Sequence, residues 1–196
     1  MRTCRKSTFE YCGDENQRGF TLIEVMISIV VLTVGLVGLL SVFGVALAAT
    51  QTSQQDMIAK ELANQTIESI ATARDSGQIP WASIQNIANG GIFLDAALQP
   101  IDQAGTDGII GTIDDATAGP ETLTRPGPTG LITGASPPDV IVSLTNYKRT
   151  IAIAGASIGG VPVQNLRTIN VTIQYTVPGF AAPKTYTLSS LISQFR

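Results

Sequence analysis

The chain contains no histidine and only two cysteines among its 196 residues. Histidine is the commonest general base and the commonest metal ligand, so its absence removes most hydrolytic and metal-centred chemistry. Both cysteines, Cys4 and Cys12, lie close to the N-terminus. A chain trimmed after them has neither a disulfide nor a thiol nucleophile. An enzyme would therefore have to work with carboxylates, lysines and hydroxyls alone.

Charge is also scarce. Charged side chains make up 14% of the sequence, against about 25% in an average soluble domain. The formal net charge is −3, and the body of the chain has no run of basic residues. The sequence therefore does not predict a nucleic-acid-binding surface.

The shortage of charge is concentrated in one apolar segment. No residue from Val25 to Ala49 is charged, and the next charged residue after Glu24 is Asp56. As a helix this segment is about 37 Å long, and a hydrocarbon layer is about 30 Å thick. The sequence predicts that the segment spans a membrane.

Basic residues flank this segment on one side. Arg2, Arg5, Lys6 and Arg18 precede it, and the first basic residue after it is Lys60. Positive residues favour the cytoplasmic side of a membrane helix. We expect a single pass through the cytoplasmic membrane, with the N-terminus inside and the C-terminal domain outside.

The segment from Arg18 to Met26, RGFTLIEVM, resembles the cleavage signature of type IV prepilins and pseudopilins. The resemblance implies cleavage after Gly19 by a membrane prepilin peptidase and N-methylation of Phe20. It also implies partners: other pilin or pseudopilin subunits and the assembly platform of a pilus or secretion system. The final location would be a pilus or a periplasmic filament.

An ordinary signal peptide is the alternative. Ala46-Leu47-Ala48 offers a signal peptidase site of the A-x-A type, and its use would release a β-rich binding domain that is secreted or tethered. Against this route, the apolar region of a signal peptide has about 7–15 residues. The apolar segment here is much longer.

Glu24 is the one acidic residue at the edge of the apolar segment. Within the pilin family, the resemblance implies that it neutralises the new amine on Phe20, in the same subunit or in its neighbour. The other interpretation is that Glu24 simply reaches the lipid headgroups. Gly35 and Gly38 are further assembly candidates, because small residues permit close helix packing, although glycine is common in membrane helices anyway.

A helical pattern continues beyond the membrane segment. Apolar residues between Ile58 and Ala73 fall on one half of a helical wheel. Gly77 suits the position after a helix end, and Pro80 prevents continuation. We predict one helix from Phe20 to Ser76; two helices separated by a break near residues 50–53 are the alternative.

The predicted fold class is α+β and type IV pilin-like, with the long N-terminal helix packed on a C-terminal antiparallel β-sheet. Short runs after Asp139 that alternate polar and apolar residues predict the strands. Their sequence pattern resembles that of PilV-type minor pilins. The predicted organisation has five parts: a cleaved leader (1–19), a transmembrane half-helix (20–49), an amphipathic half-helix (50–76), a Gly/Pro-rich irregular region (77–137) and the sheet (138–196).

A Gly-rich acidic stretch lies in the irregular region. Asp107, Asp114 and Asp115, with Asp102 nearby, provide carboxylates of the kind that calcium prefers. The spacing does not fit an EF-hand, and aspartates that accept hydrogen bonds from their own backbone in turns account for the pattern equally well. We expect no cofactor, with calcium as the one candidate.

The resemblance thus implies a structural subunit with no enzymatic activity and no catalytic residue, either a minor pilin of a type IV pilus or a pseudopilin of a type II secretion system.

Overall fold

The structure, a computed structural model, describes residues 19–125, 140–177 and 182–195. The leader up to Arg18 and the segments 126–139 and 178–181 lie outside these residues. The described elements, in chain order, are α1 (Leu22–Asp75), two 3-10 turns (Trp81–Ser83 and Ile87–Asn89), β1 (Gln99–Pro100), α2 (Asp115–Ala118), β2 (Thr122–Arg125), β3 (Val140–Ser143), β4 (Tyr147–Ile158), β5 (Val161–Tyr175) and β6 (Lys184–Ser193).

Helix α1 is one continuous element of 54 residues. The break considered near residues 50–53 does not occur, and the hydroxyl of Ser53 donates to the carbonyl of Ala49 at 3.0 Å. A hydroxyl that bonds back to its own helix needs no other partner. The chain divides into two compact units, Met1–Ala48 and Ala49–Arg196, and the boundary between them falls within α1.

The C-terminal end of α1 is capped as the sequence predicts. The amide of Gln78 donates to the carbonyl of Ala73, and the amide of Gly77 donates to that of Arg74, both at 3.0 Å. This pair of bonds is the Schellman motif. It requires a left-handed residue, and Gly77 has a φ of 73°. The helix ends at Asp75, one residue before the predicted end.

The second half of α1 packs on the sheet through one face. Its buried residues recur at helical spacing, so that one stripe of the helix enters the core. Thr66 belongs to this stripe although the hydrophobic pattern did not include it, because its hydroxyl donates to the carbonyl of Leu62 at 2.8 Å. The buried residues are Ala59, Leu62, Ala63, Thr66, Ile70 and Ala73.

The main sheet has four strands in the order β1-β4-β5-β6, all antiparallel. Alternate side chains of β5 (Ile169, Val171 and Ile173) are fully buried, and the intervening ones are partly exposed. This alternation covers one face of the sheet. Two glycines in left-handed conformation, Gly159 and Gly160, form the β4–β5 turn. The structure therefore has the predicted α+β, pilin-like layout.

The irregular region contributes more to the sheets than its sequence indicates. β1 extends the main sheet beside β4. β2 pairs with β3 in a separate two-stranded sheet, so the predicted run that begins at Val140 does not join the main sheet. β3 ends at Ser143, and a turn in which the amide of Tyr147 donates to the carbonyl of Leu144 separates it from β4.

A single buried asparagine ties the irregular region to β4. The side-chain amide of Asn86 donates to the carbonyls of Leu94 and Ile151 at 2.7 and 2.8 Å. Its oxygen accepts from the amide of Ile153 at 2.8 Å. These bonds satisfy β4 backbone groups beyond the point where the two-residue β1 ends, as burial requires.

Candidate processing and assembly site

The predicted cleavage position lies just before α1. Gly19 and Phe20 are exposed and non-helical, and the side chain of Phe20 is 82% exposed. Among the described residues, and apart from its chain neighbours, no heavy atom lies within 4 Å of a Cβ placed on Gly19. Arg18 lies outside the described residues. The predicted cleavage position therefore lies in an accessible, non-helical segment, and residues 22–26 of the signature already belong to the helix.

Thr21 begins α1. Its Oγ1 accepts the amide of Glu24 at 3.3 Å, and its carbonyl accepts the amide of Val25 at 3.2 Å. Thr21 and Glu24 have the T-x-x-E spacing of a capping box, in which both residues satisfy amides at a helix start. Sequence reasoning missed this role of Thr21, although the spacing alone could have revealed it.

Glu24 lies in the first turn of α1 and is exposed. Its backbone carbonyl accepts the hydroxyl of Ser28 at 2.7 Å. The positive end of the helix dipole also stabilises a carboxylate at this position. Glu24 follows the non-helical Phe20 by four residues, and its pairing with a new amine stays a prediction.

The first half of α1 is an exposed apolar surface. Its Val, Leu, Ile and Phe side chains are exposed, and α1 is long and apolar enough to cross a membrane. Apart from the chain neighbours and the backbone of α1 itself, no heavy atom of the described residues lies within 4 Å of a Cβ built on Gly35 or Gly38. Within the described chain, therefore, no contact requires glycine at either position.

The structure brings the three predicted calcium candidates together. One carboxylate oxygen from each of Asp107, Asp114 and Asp115 lies within 4.8 Å of the others. Asp102 is not part of this group and instead forms an isolated β-bridge with Pro120. The acidic cluster, as we call Asp107, Asp114 and Asp115, combines residues from a turn and from the start of α2.

Protein donors already occupy the acidic cluster. Asp114 accepts from the amide of Asp107 at 3.2 Å and from the hydroxyls of Thr106 and Thr112 at 3.1 and 2.5 Å. The bond from Thr112, above all, lowers the pKa of Asp114. Asp115 accepts from the amides of Gly105 and Gly111 at 3.0 and 2.6 Å. These hydrogen bonds stabilise the turns that bring the three aspartates together. Calcium binding stays a prediction.

Asp115 also forms a buried ion pair with Arg149 of β4. The distance from Nη2 to Oδ2 is 3.5 Å, and each side chain is 4% exposed. Burial raises the pKa of Asp115 and lowers that of Arg149. The pair joins the acidic cluster to β4, near the start of that strand.

We expect Arg149→Met to destabilise the folded chain by about 3–5 kcal/mol, because it leaves the carboxylate of Asp115 buried without its cation. The measurement is urea unfolding of the full chain in mild detergent, followed by near-ultraviolet circular dichroism. Asp75→Asn is the control, since it removes an exposed pair with Arg74 and costs about 1 kcal/mol or less. Equal effects of the two substitutions would contradict a stabilising buried pair.

The comparisons with known proteins agree with this reading of the N-terminus. Residues 15–40 match the family described as the prokaryotic N-terminal methylation motif. No curated protein and no solved structure gives a significant match. The motif and the fold together support a type IV pilin-like chain, and the exposed apolar half of α1 is consistent with membrane anchorage.

Proposed function

We propose that the chain is a minor pilin or pseudopilin: a structural subunit that prepilin peptidase cuts after Gly19, that is methylated on Phe20, and that assembles into a filament through α1. The observation that carries the proposal is the continuity of α1. An exposed apolar half follows the methylation motif directly, and the same helix continues into a half that packs on the sheet.

The two halves of α1 suit this role for a physical reason. A helix apolar on all sides is stable only inside a membrane or among other apolar helices. The membrane would hold the apolar half before assembly, and neighbouring subunits would cover it afterwards. Because glycine has no side chain, Gly35 and Gly38 would then permit close helix packing between subunits.

The described residues also support a structural rather than a catalytic role. The carboxylates of Asp114 and Asp115 bond to backbone amides, hydroxyls and Arg149, so they act in holding the fold. We accordingly propose that the subunit has no enzymatic activity and needs no cofactor. Its partners would be prepilin peptidase, other subunits and the assembly platform.

The N-terminus of the mature protein tests this proposal. We expect N-terminal sequencing and mass spectrometry of the protein from its native host to show N-methylated phenylalanine at Phe20. The signal peptide alternative predicts a start at Ala49 instead. That start would remove the apolar half of α1 and would contradict the proposal.

A further inference from the structure

Arg167 of β5 is held in place by the first 3-10 turn. Its guanidinium carbon lies over the ring of Trp81, 4.5 Å from the centroid. Its Nη1 donates to the carbonyls of Trp81 and Ile84 at 2.6 and 2.5 Å. An indole face attracts a cation above it, so the stacking and the two hydrogen bonds fix the guanidinium together. Arg167 therefore presents a positioned and permanent positive charge.

No carboxylate of the described residues pairs with this charge. The ion pairs there involve Arg74, Arg149 and Lys184 instead. Burial lowers the pKa of Arg167, and no acidic neighbour in the described part of the chain counters that shift. A guanidinium carries N–H donors on three nitrogens in a planar fork, and only Nη1 bonds to the described protein. The donors on Nε and Nη2 are available to an anion.

Arg167 forms one wall of a groove over Gly155, the residue opposite it on β4. Two cavities of about 460 and 360 Å³ share Gln85, Gly155 and Arg167 in their linings, and Arg167 is the one charged residue among the described residues that line them. Apart from its chain neighbours, no heavy atom of the described residues lies within 4 Å of a Cβ built on Gly155. The missing side chain at Gly155 therefore leaves open space beside the guanidinium. We call this space the arginine groove.

β4 has an unpaired edge beside the arginine groove. β1 pairs only with the start of β4, and the side chain of Asn86 bonds to the carbonyl of Ile151 and the amide of Ile153 on the same edge. The backbone groups of an antiparallel strand face its two sides in alternation. The amides and carbonyls of Gly155 and Ser157 therefore face this edge too, and no backbone group of the described residues bonds to them there.

Nothing in this part of β4 discourages the pairing of a further strand. Natural edge strands avoid such pairing by charged side chains, proline or a covering segment. From Thr150 to Ile158, β4 has neither a charged residue nor a proline. The end of the β4–β5 hairpin is also apolar, since Ile158 and Val161 are each 66% exposed. An added strand would therefore find backbone partners at this edge and apolar contacts next to it.

We propose that the arginine groove binds an extended peptide segment of a partner protein, which adds a strand to β4 at Gly155 and Ser157 and places an acidic side chain against Arg167. Recognition by strand addition takes its affinity from backbone hydrogen bonds and its specificity from side-chain contacts. The proposal concerns residues 49–196 alone, and it does not depend on how the N-terminus is processed.

The register of the sheet explains why the partner residue is acidic. Side chains of directly opposed residues lie on the same face of a sheet, so a residue opposite Gly155 on the added strand shares a face with Arg167. Two strand spacings of about 4.8 Å separate the two backbones. Because Gly155 between them has no side chain, a carboxylate on the added strand can meet the guanidinium. An acidic glycan would supply a carboxylate but no backbone partner for the edge of β4.

The test titrates the full chain, in mild detergent, with the peptide acetyl-Thr-Val-Glu-Val-Thr-amide. Trp81 is the only tryptophan in the sequence and contacts Arg167, so its fluorescence reports binding in the groove. We expect the glutamate peptide to bind about fivefold more tightly than the same peptide with glutamine, because a charge-assisted hydrogen bond is stronger than a neutral one. Amide hydrogen exchange at Gly155 and Ser157 should slow when the peptide is bound.

Gly155→Val fills the groove and leaves the fold intact, because its Cβ meets no described atom and valine suits a strand. We expect this variant to bind the glutamate peptide about tenfold or more weakly. Ala152→Val is the control, since residue 152 lies outside the lining of the groove, and it should keep the wild-type affinity. Arg167→Gln should remove the preference for glutamate over glutamine.

Each other outcome overturns the proposal. Equal affinity of the wild-type chain for the two peptides, or no binding of either, removes the role of Arg167. Unchanged affinity in Gly155→Val removes the groove. If free glutarate, a dicarboxylate without backbone amides, binds as tightly as the glutamate peptide, then the site takes small carboxylates and no strand is added. Unchanged amide exchange at Gly155 and Ser157 in the bound state leads to the same conclusion.

Discussion

Replacing Gly19 by leucine should leave the precursor uncut in the membrane. A protease must bring the scissile bond within bonding distance of its catalytic groups, and a misplacement of about 1 Å costs on the order of 100-fold in rate. Glycine allows the closest approach of the backbone. Because no atom lies within 4 Å of a Cβ on Gly19, leucine there disturbs no contact of the described fold, and the loss would reflect recognition by the peptidase.

The measurement is a pulse-chase experiment in the native host, in which precursor and mature chain differ by the mass of the leader. Gly44→Leu is the matched control. Gly44 is also free of neighbours within 4 Å but lies inside the apolar stretch, so this variant should be cut at the normal rate. Normal processing of the Gly19 variant would remove the prepilin route from consideration.

The long helix was predictable because its signals are local. Three signals lie within a few residues of the structure that they determine. They are the absence of charge from Val25 to Ala49, the apolar stripe that follows and the cap at Gly77. The same is true of the processing motif, which is one short segment. Even here a polar core residue, Thr66, was missed, because its hydroxyl is satisfied by its own helix.

The sheets were less predictable because strand pairing is non-local. The alternation in β4, β5 and β6 indicates strands, but nothing in the run at Val140 shows that it pairs with β2 rather than with β4. β1 has two residues, too few for any periodic signal. Asn86 carries no motif, and its bonds to β4 become visible only when the chain is folded.

The candidate sites divide in the same way. The acidic cluster was visible because Asp107, Asp114 and Asp115 are close in sequence, and the structure places them together. The buried pair of Asp115 with Arg149 was invisible, since its members come from α2 and β4, which meet only through tertiary packing.

Replacing Glu24 by glutamine should leave cleavage normal and reduce incorporation into the filament strongly. Glutamine preserves the size and helix propensity of the side chain and removes only its charge. In the proposed filament core the new amine on Phe20 would then lack its anion, and an unpaired buried charge costs about 3–5 kcal/mol. That cost corresponds to a loss of roughly 100-fold or more in the population of assembled subunits.

Glu61→Gln provides the matched control for this experiment. It removes one acidic charge from an exposed position of the same helix, outside the apolar half, so its incorporation should equal that of the wild type. The amounts of each variant in sheared filaments and in membranes are compared by quantitative immunoblotting, with the N-terminus of each confirmed by mass spectrometry. If the Glu24 variant assembles as well as the Glu61 variant, then Glu24 serves only the start of α1, beside the Thr21 cap, and the contact between subunits depends on apolar packing alone.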